Sequence, residues 1–157
     1  MVSLAPHDDI DRIMAVMQEA FDPAYGEAWT RAQLDNTLVL GHCSYAMIAP
    51  DGQAPEDMTP AAGFTLTRTI LDEEELLLFA VSPAWRGRGL GRTLLQQLIE
   101  TAPARGVKRI FLEMRDNNPA ESLYRACGFQ PVGRRPQYYR TREGERIDAI
   151  TFAIDMN

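Results

Sequence analysis

From Asp8 to Phe21, apolar residues return every three or four positions, at Ile10, Ile13, Met14, Met17 and Phe21. This predicts an amphipathic helix, ended by Asp22-Pro23. A second, short helix is expected over Trp29 to Leu34, capped by Thr30. The period then shortens. Cys43 to Ala49 and Ala62 to Thr69 read as extended runs, separated by a loop rich in proline, glycine and acids. Asp72 to Glu75 should turn the chain into Leu76 to Val81, which is apolar throughout and so expected as a central strand covered on both faces. After Ser82-Pro83, the stripe Leu90, Leu94, Leu95, Leu98 and Ile99 predicts a helix reaching about Ala104. Lys108 to Met114 reads as another strand. Asn118-Pro119-Ala120-Glu121 opens a helix that Gly128 closes, and strands near Gln130 to Tyr139 and Ile147 to Ile154 follow. Helices interleaved with strands imply an α/β fold, a central sheet with helices on both faces. No internal repeat divides the chain, and residues 1–157 are expected to form one domain.

Charge and composition narrow the function. The net charge of −6 argues against a nucleic-acid-binding surface and tolerates a cationic partner such as an amine or basic peptide. Cys43 and Cys127 lie far apart without metal-ligand spacing, with only His7 and His42 to help them, so no metal site or disulfide framework is expected. The N-terminal stretch carries acids early and no long apolar run, and no segment has the length to span a bilayer. A cytoplasmic enzyme without membrane contact is the resulting expectation.

The segment Arg86-Gly87-Arg88-Gly89-Leu90-Gly91-Arg92-Thr93 joins the buried strand to the amphipathic helix. Glycines there let the backbone approach an anion, and first-turn amides point at it. A nucleotide P-loop would need a lysine before its Ser or Thr. A dinucleotide fingerprint would need a third glycine at Arg92 or Leu94. Both fail, leaving Arg-x-x-Gly-x-Gly, spelled by Arg86, Gly89 and Gly91. Taken alone, such a segment is more ordinarily a tight strand-to-helix turn with solvent-facing arginines.

The run FAVSPAWRGRGLGRTLLQQLI resembles the acetyl-CoA-binding segment of the GNAT acetyltransferases, and LEMRDNNPAESLYRACGF resembles that superfamily's last helix and its flanks. Order and separation also agree, so the resemblance covers about Leu76 to Phe129 strongly. Arg135, Tyr138-Tyr139 and Asp148-Ala149 are similar to the RimI-like group, the ribosomal-protein-alanine N-acetyltransferases. The resemblance implies a mixed, mostly antiparallel twisted sheet with a splayed strand pair for acetyl-CoA. It also implies transfer of acetyl to the N-terminal α-amine of a protein, with the N-terminal alanine of a small-subunit ribosomal protein as acceptor. An acetyltransferase of small-molecule amines and a non-catalytic acyl-CoA-binding module are the alternatives.

Roles follow from that resemblance. The cofactor would lie against the backbone of Phe79, Ala80 and Val81 and the loop Arg86 to Thr93. Asn117 or Asn118 would add a contact, because counting from Tyr124 selects the first and counting from Glu113 the second. Glu113, a carboxylate in an apolar strand, would be the general base; its structural alternative is an ion pair with Arg115 or Arg134. Tyr124 would be the general acid, a phenol suited to protonating a departing thiolate. Tyr138 and Tyr139 are candidates for the acceptor groove; adjacent strand residues face opposite ways, so at most one should line it. The acids from Asp72 to Glu75, or Asp22, are candidates for making that groove acidic. Cys127 reads as a packed helix-end residue, which favours direct attack over an acetyl-cysteine.

Overall fold

The computed structural model describes residues 5–156. Six strands make one open sheet: β1 (Cys43–Ile48), β2 (Gly63–Ile70), β3 (Glu73–Val81), β4 (Arg109–Arg115), β5 (Gln130–Arg140) and β6 (Arg146–Asp155). Their order is β1-β2-β3-β4-β6-β5, antiparallel throughout except for the parallel β3–β4 pair. The helices are α1 (Ala5–Ala20), α2 (Arg31–Val39), α3 (Leu90–Thr101) and α4 (Glu121–Ala126).

The apolar stripes decide which face each helix covers. Ile13, Val16 and Met17 of α1 and Leu34 of α2 pack on Phe64, Leu66, Leu78 and Ala80. Opposite, Leu95 of α3 and Tyr124 of α4 pack on Leu76, Ile110, Leu112, Phe129 and Phe152, while Leu90 and Leu94 meet Ile48 and Ala62. Each fully buried aliphatic side chain contributes about 1.5–3 kcal/mol, which offsets the entropy of ordering the chain.

The β3–β4 pair has the greatest functional consequence. Its partners are only Glu73–Arg109, Glu74–Ile110 and Glu75–Phe111, although β3 runs on to Val81 and β4 to Arg115. The strands therefore part, as the resemblance implied. A bulge in β3 accompanies the parting: Leu66 pairs with Leu78 and Thr67 with Leu76, leaving Leu77 extra. Leu76 packs on the α3–α4 side, whereas Leu77 and Leu78 pack on the α1–α2 side. The extra residue exchanges the faces of the strand and turns Phe79 towards α3 and α4.

Three expectations are corrected. Glu73, Glu74 and Glu75 lie within β3, not in the turn, which falls at Leu71 (φ 57) and Asp72. Glu74 is buried and paired with Arg105 at 2.7 Å, and Glu75 pairs with Arg68 at 2.6 Å. Second, β3 is packed by helices on both faces but is not apolar and buried throughout: Glu74, Leu76, Leu78 and Ala80 are buried while the alternate positions are only partly buried. Of these positions, Leu77, Phe79 and Val81 lie beyond Glu75, where the sheet opens. Third, α4 begins at Glu121, because Asn118 Oδ1 accepts from the Ala120 N–H at 2.9 Å and holds a turn ahead of the helix.

Candidate active site

The α3 mouth is built by two glycine requirements. Gly89 caps the helix at φ 80, a left-handed conformation that costs other residues about 1 kcal/mol or more. At Gly91 a Cβ would stand 3.0 Å from Phe79 Cζ and 3.2 Å from Leu123 Cδ2, so a larger residue would have to push these side chains aside where α3 approaches β3 and α4. Thr93 N–H makes the first helical bond, to the Gly89 carbonyl at 3.0 Å. The amides from Gly89 to Arg92 precede it and have no acceptor inside the helix. They converge with the helix dipole on one spot, an arrangement that favours an anion.

The arginines of this loop have separate tasks. Arg86 Nε donates to the Val81 carbonyl at 2.9 Å and Nη2 to the Ala20 carbonyl at 2.9 Å, tying the end of β3 to the end of α1. Arg88 stands 5.1 Å over the Trp85 ring. The Thr93 hydroxyl donates back to the Gly89 carbonyl at 3.0 Å. Arg88 and Thr93 are thus turned to other partners and lie outside the cavity lining, whereas Arg86, Gly87, Gly89, Leu90, Gly91 and Arg92 belong to it.

That cavity encloses about 840 Å³ between the α3 mouth, the end of β3 at Phe79, Ala80 and Val81, and the approach to α4 at Asn117 and Asn118. A second cavity of about 380 Å³ is lined by Trp29, Gln33, Leu77, Glu113 and Tyr139. The two share Phe21, Tyr25, Glu27, Phe79, Asn118 and Tyr124. They meet at the splay.

Tyr124 stands at that junction, buried, with its ring 5.9 Å from those of Phe79 and Phe129. Burial, and then the negative charge of Glu27, raise its phenol above the ordinary pKa. Its hydroxyl makes no hydrogen bond to another described residue and opens to both cavities. Glu113 lines the smaller cavity and pairs with Arg135 at 3.4 Å. The partners anticipated for it are engaged elsewhere: Arg134 with Asp116 and Asp148, Arg115 with Glu27. Of the two adjacent tyrosines, Tyr139 lines the smaller cavity. Its phenol is pushed up to about 12 by burial, then by the charges of Glu113 and Glu27. Tyr138 is half-exposed, packs edge-on against Tyr139 under Arg135, and lines neither cavity.

Sequence reasoning missed one cluster. Arg115, buried at the end of β4, reaches Glu27 Oε1 at 3.2 Å and Asn117 Oδ1 at 2.7 Å. Its guanidinium lies 3.7 Å above the Tyr25 ring, and Asn117 Nδ2 donates to the Tyr25 hydroxyl at 3.3 Å. Tyr25 and Glu27 sit in the link between α1 and α2, where no apolar period marks them, and 88 positions separate Glu27 from Arg115. The one local signal is an isolated acid shortly before the Thr30 cap. Asp22 lines the larger cavity, but Glu73, Glu74 and Glu75 line neither, so the acids of the smaller cavity are Glu27 and Glu113. Cys127 also lies outside both cavities; burial raises its thiol pKa and Arg92 lowers it. Among the described residues no group of three His, Cys, Asp or Glu is placed to hold a metal, and no helix is long and apolar enough to cross a membrane.

Comparison with known proteins agrees with this geometry. The sequence model of the acetyltransferase (GNAT) family matches residues 10–129. The [ribosomal protein bS18]-alanine N-acetyltransferase of Escherichia coli K12 is 41% identical over 97 residues, which are 61% of this chain and 65% of that one. The match thus spans a little under two thirds of that relative's length. The crystal structure of the ribosomal-protein-S18-alanine N-acetyltransferase from E. coli superposes with a TM-score of 0.78 at 29% identity, over 96% of this chain and 89% of that one. Arabidopsis thaliana NAA60 in complex with acetyl-CoA shares the fold, with a TM-score of 0.76 at 19% identity over 96% of this chain and 94% of that one.

Proposed function

Because this chain belongs to the acetyltransferase (GNAT) family, we propose that it transfers acetyl from acetyl-CoA to the α-amine at a protein N-terminus, the N-terminal alanine of a small-subunit ribosomal protein being the leading acceptor. One observation carries this reading. A large cavity runs from a helix mouth of free amides to Tyr124, and there it meets a smaller one lined by Glu113.

The residues present fit acetyl-CoA. Amides from Gly89 to Arg92, with the Arg92 guanidinium, suit a diphosphate. Beyond Glu75, the β3 edge facing β4 has no strand partner, so the backbone of Phe79, Ala80 and Val81 can bond an amide-bearing arm as a strand would. Asn117 is held by Arg115 and Tyr25, whereas Asn118 lines both cavities; Asn118 is therefore the better placed of the two for a cofactor contact.

Acetyl-CoA supplies an activated acetyl group and departs as a thiol. Glu113 takes the proton of the acceptor's ammonium, directly or through water, so that a neutral amine faces the larger cavity. As the neutral amine bonds the thioester carbonyl carbon and the carbon–sulfur bond breaks, Tyr124 delivers its proton to the leaving sulfur, and the second proton shed by the nitrogen restores the phenol. Tyr139 lines the acceptor side.

The test is thiol release from acetyl-CoA with a panel of short peptides and free amines. Turnover is expected with an alanine-starting peptide and not with its pre-acetylated form. Turnover confined to polyamines or other small amines would overturn the acceptor, and binding of coenzyme A without turnover on any amine would overturn catalysis.

A further inference from the structure

The two cavities differ in charge in a way that transfer chemistry alone does not require. Arg86, Arg92 and Arg115 line the larger one, together with the acids Asp22 and Glu27. The described lining of the smaller one contains no arginine, lysine or histidine; its ionisable groups are Glu27, Glu113 and the phenols of Tyr25, Tyr124 and Tyr139. A cation is attracted to such a place and a second anion is not. Tyr124, whose hydroxyl has no hydrogen-bond partner among the described residues, lines both cavities at the same point.

The two carboxylates are held differently. Glu113 pairs with Arg135, whose side chain is 62% exposed. Glu27 pairs with Arg115, whose side chain is 10% exposed and is itself fixed by Asn117 and the face of Tyr25. A carboxylate fastened to a buried guanidinium is held in place. Glu27 is also the acid that belongs to both cavities, and its charge contributes to raising the phenols of both Tyr124 and Tyr139.

We propose that Glu27 is the anchor for the acceptor's ammonium group, gripping the cation where the cavities meet while Glu113 removes its proton. The inference rests on the transferase reading and adds a residue that determines which molecules the site accepts. One Glu27 oxygen serves Arg115 and the other faces the acceptor. Two carboxylates then divide the work: one holds the cation, the other accepts its proton. Acetylation turns the ammonium into a neutral amide, the attraction to Glu27 disappears, and the product leaves. An amine is selected over a hydroxyl of the same size for the same reason.

The experiment is a calorimetric titration of the coenzyme A-loaded protein with an alanine-starting peptide and with its N-acetylated counterpart. The wild type should prefer the free amine by about tenfold or more, the scale of a charge-assisted hydrogen bond. In Glu27→Gln, which keeps an oxygen for Arg115, the preference should vanish while affinity for coenzyme A and for the acetylated peptide stays the same. Glu27→Asp should retain part of it. A wild type without preference, a Glu27→Gln variant that keeps it, or one that loses both peptides equally would overturn the proposal. Should the wild type prefer the free amine yet release no thiol from acetyl-CoA with it, the transferase reading fails while the anchor stands.

Discussion

At the scale of single residues, the proposed mechanism divides proton removal, proton delivery and charge recognition among Glu113, Tyr124 and Glu27. Replacing Glu113 by Gln should lower kcat/KM by about 10²–10⁴ at neutral pH. The deficit should shrink as pH rises past about 8, where an α-amine is already neutral, and a pH–rate profile reads it. An equal loss at every pH would remove Glu113 from the role. Tyr124→Phe should slow turnover by about 10²-fold and leave the affinity for coenzyme A unchanged, because the ring keeps its contacts with Phe79 and Phe129. The phenols of Tyr45 and Tyr139 also bear on stability. Burial raises both to about 12 from 10.0, aided at Tyr45 by its bond to Asp9 and at Tyr139 by Glu113. The folded state thus holds these protons more tightly than the unfolded chain. Their stabilising effect is complete below pH 10 and is lost as pH rises towards 12. Urea midpoints measured between pH 9 and 12 should fall in the wild type and fall less in the Tyr45→Phe/Tyr139→Phe double variant.

At the scale of elements, helix ends and one bulge place those residues. Thr30 Oγ1 accepts from the Gln33 N–H at 3.1 Å, and Gln33 Oε1 accepts from the Thr30 N–H at 2.7 Å, a reciprocal cap for α2. Thr30→Ala should cost about 1 kcal/mol, or about 2–4 °C in Tm, measured by thermal melt. Because Trp29 and Gln33 line the acceptor-side cavity, KM for the peptide should rise with little change for coenzyme A. This cap was legible from residue identity, since capping is settled within four residues. The opening of α4 was not: Asn118 and Pro119 looked like cap and first helical residue, but Asn118 closes a turn one step earlier. The bulge at Leu77 was equally hidden, because a run of leucines reads the same in either register.

At the scale of the whole molecule, the parted β3–β4 pair lets one sheet hold two cavities that meet at Tyr124, the larger lined by three arginines and the smaller by none. Coenzyme A at about a hundred times its Kd should stabilise the fold by about 2.7 kcal/mol, raising Tm by about 5–10 °C. A melt unaffected by coenzyme A would remove the larger cavity from that role. Local rules in the sequence settled the helix and strand alternation and the glycine mouth of α3, because period and turn chemistry act over a few neighbouring residues, whereas the candidacy of Glu113 and Tyr124 came from the resemblance to the GNAT acetyltransferases. Only the tertiary structure decided that Tyr139 rather than Tyr138 lines the site, that Glu113 pairs with Arg135, and that Glu27 meets Arg115. Those contacts join segments far apart in the chain, and nothing in the local pattern of either partner records where the other will lie.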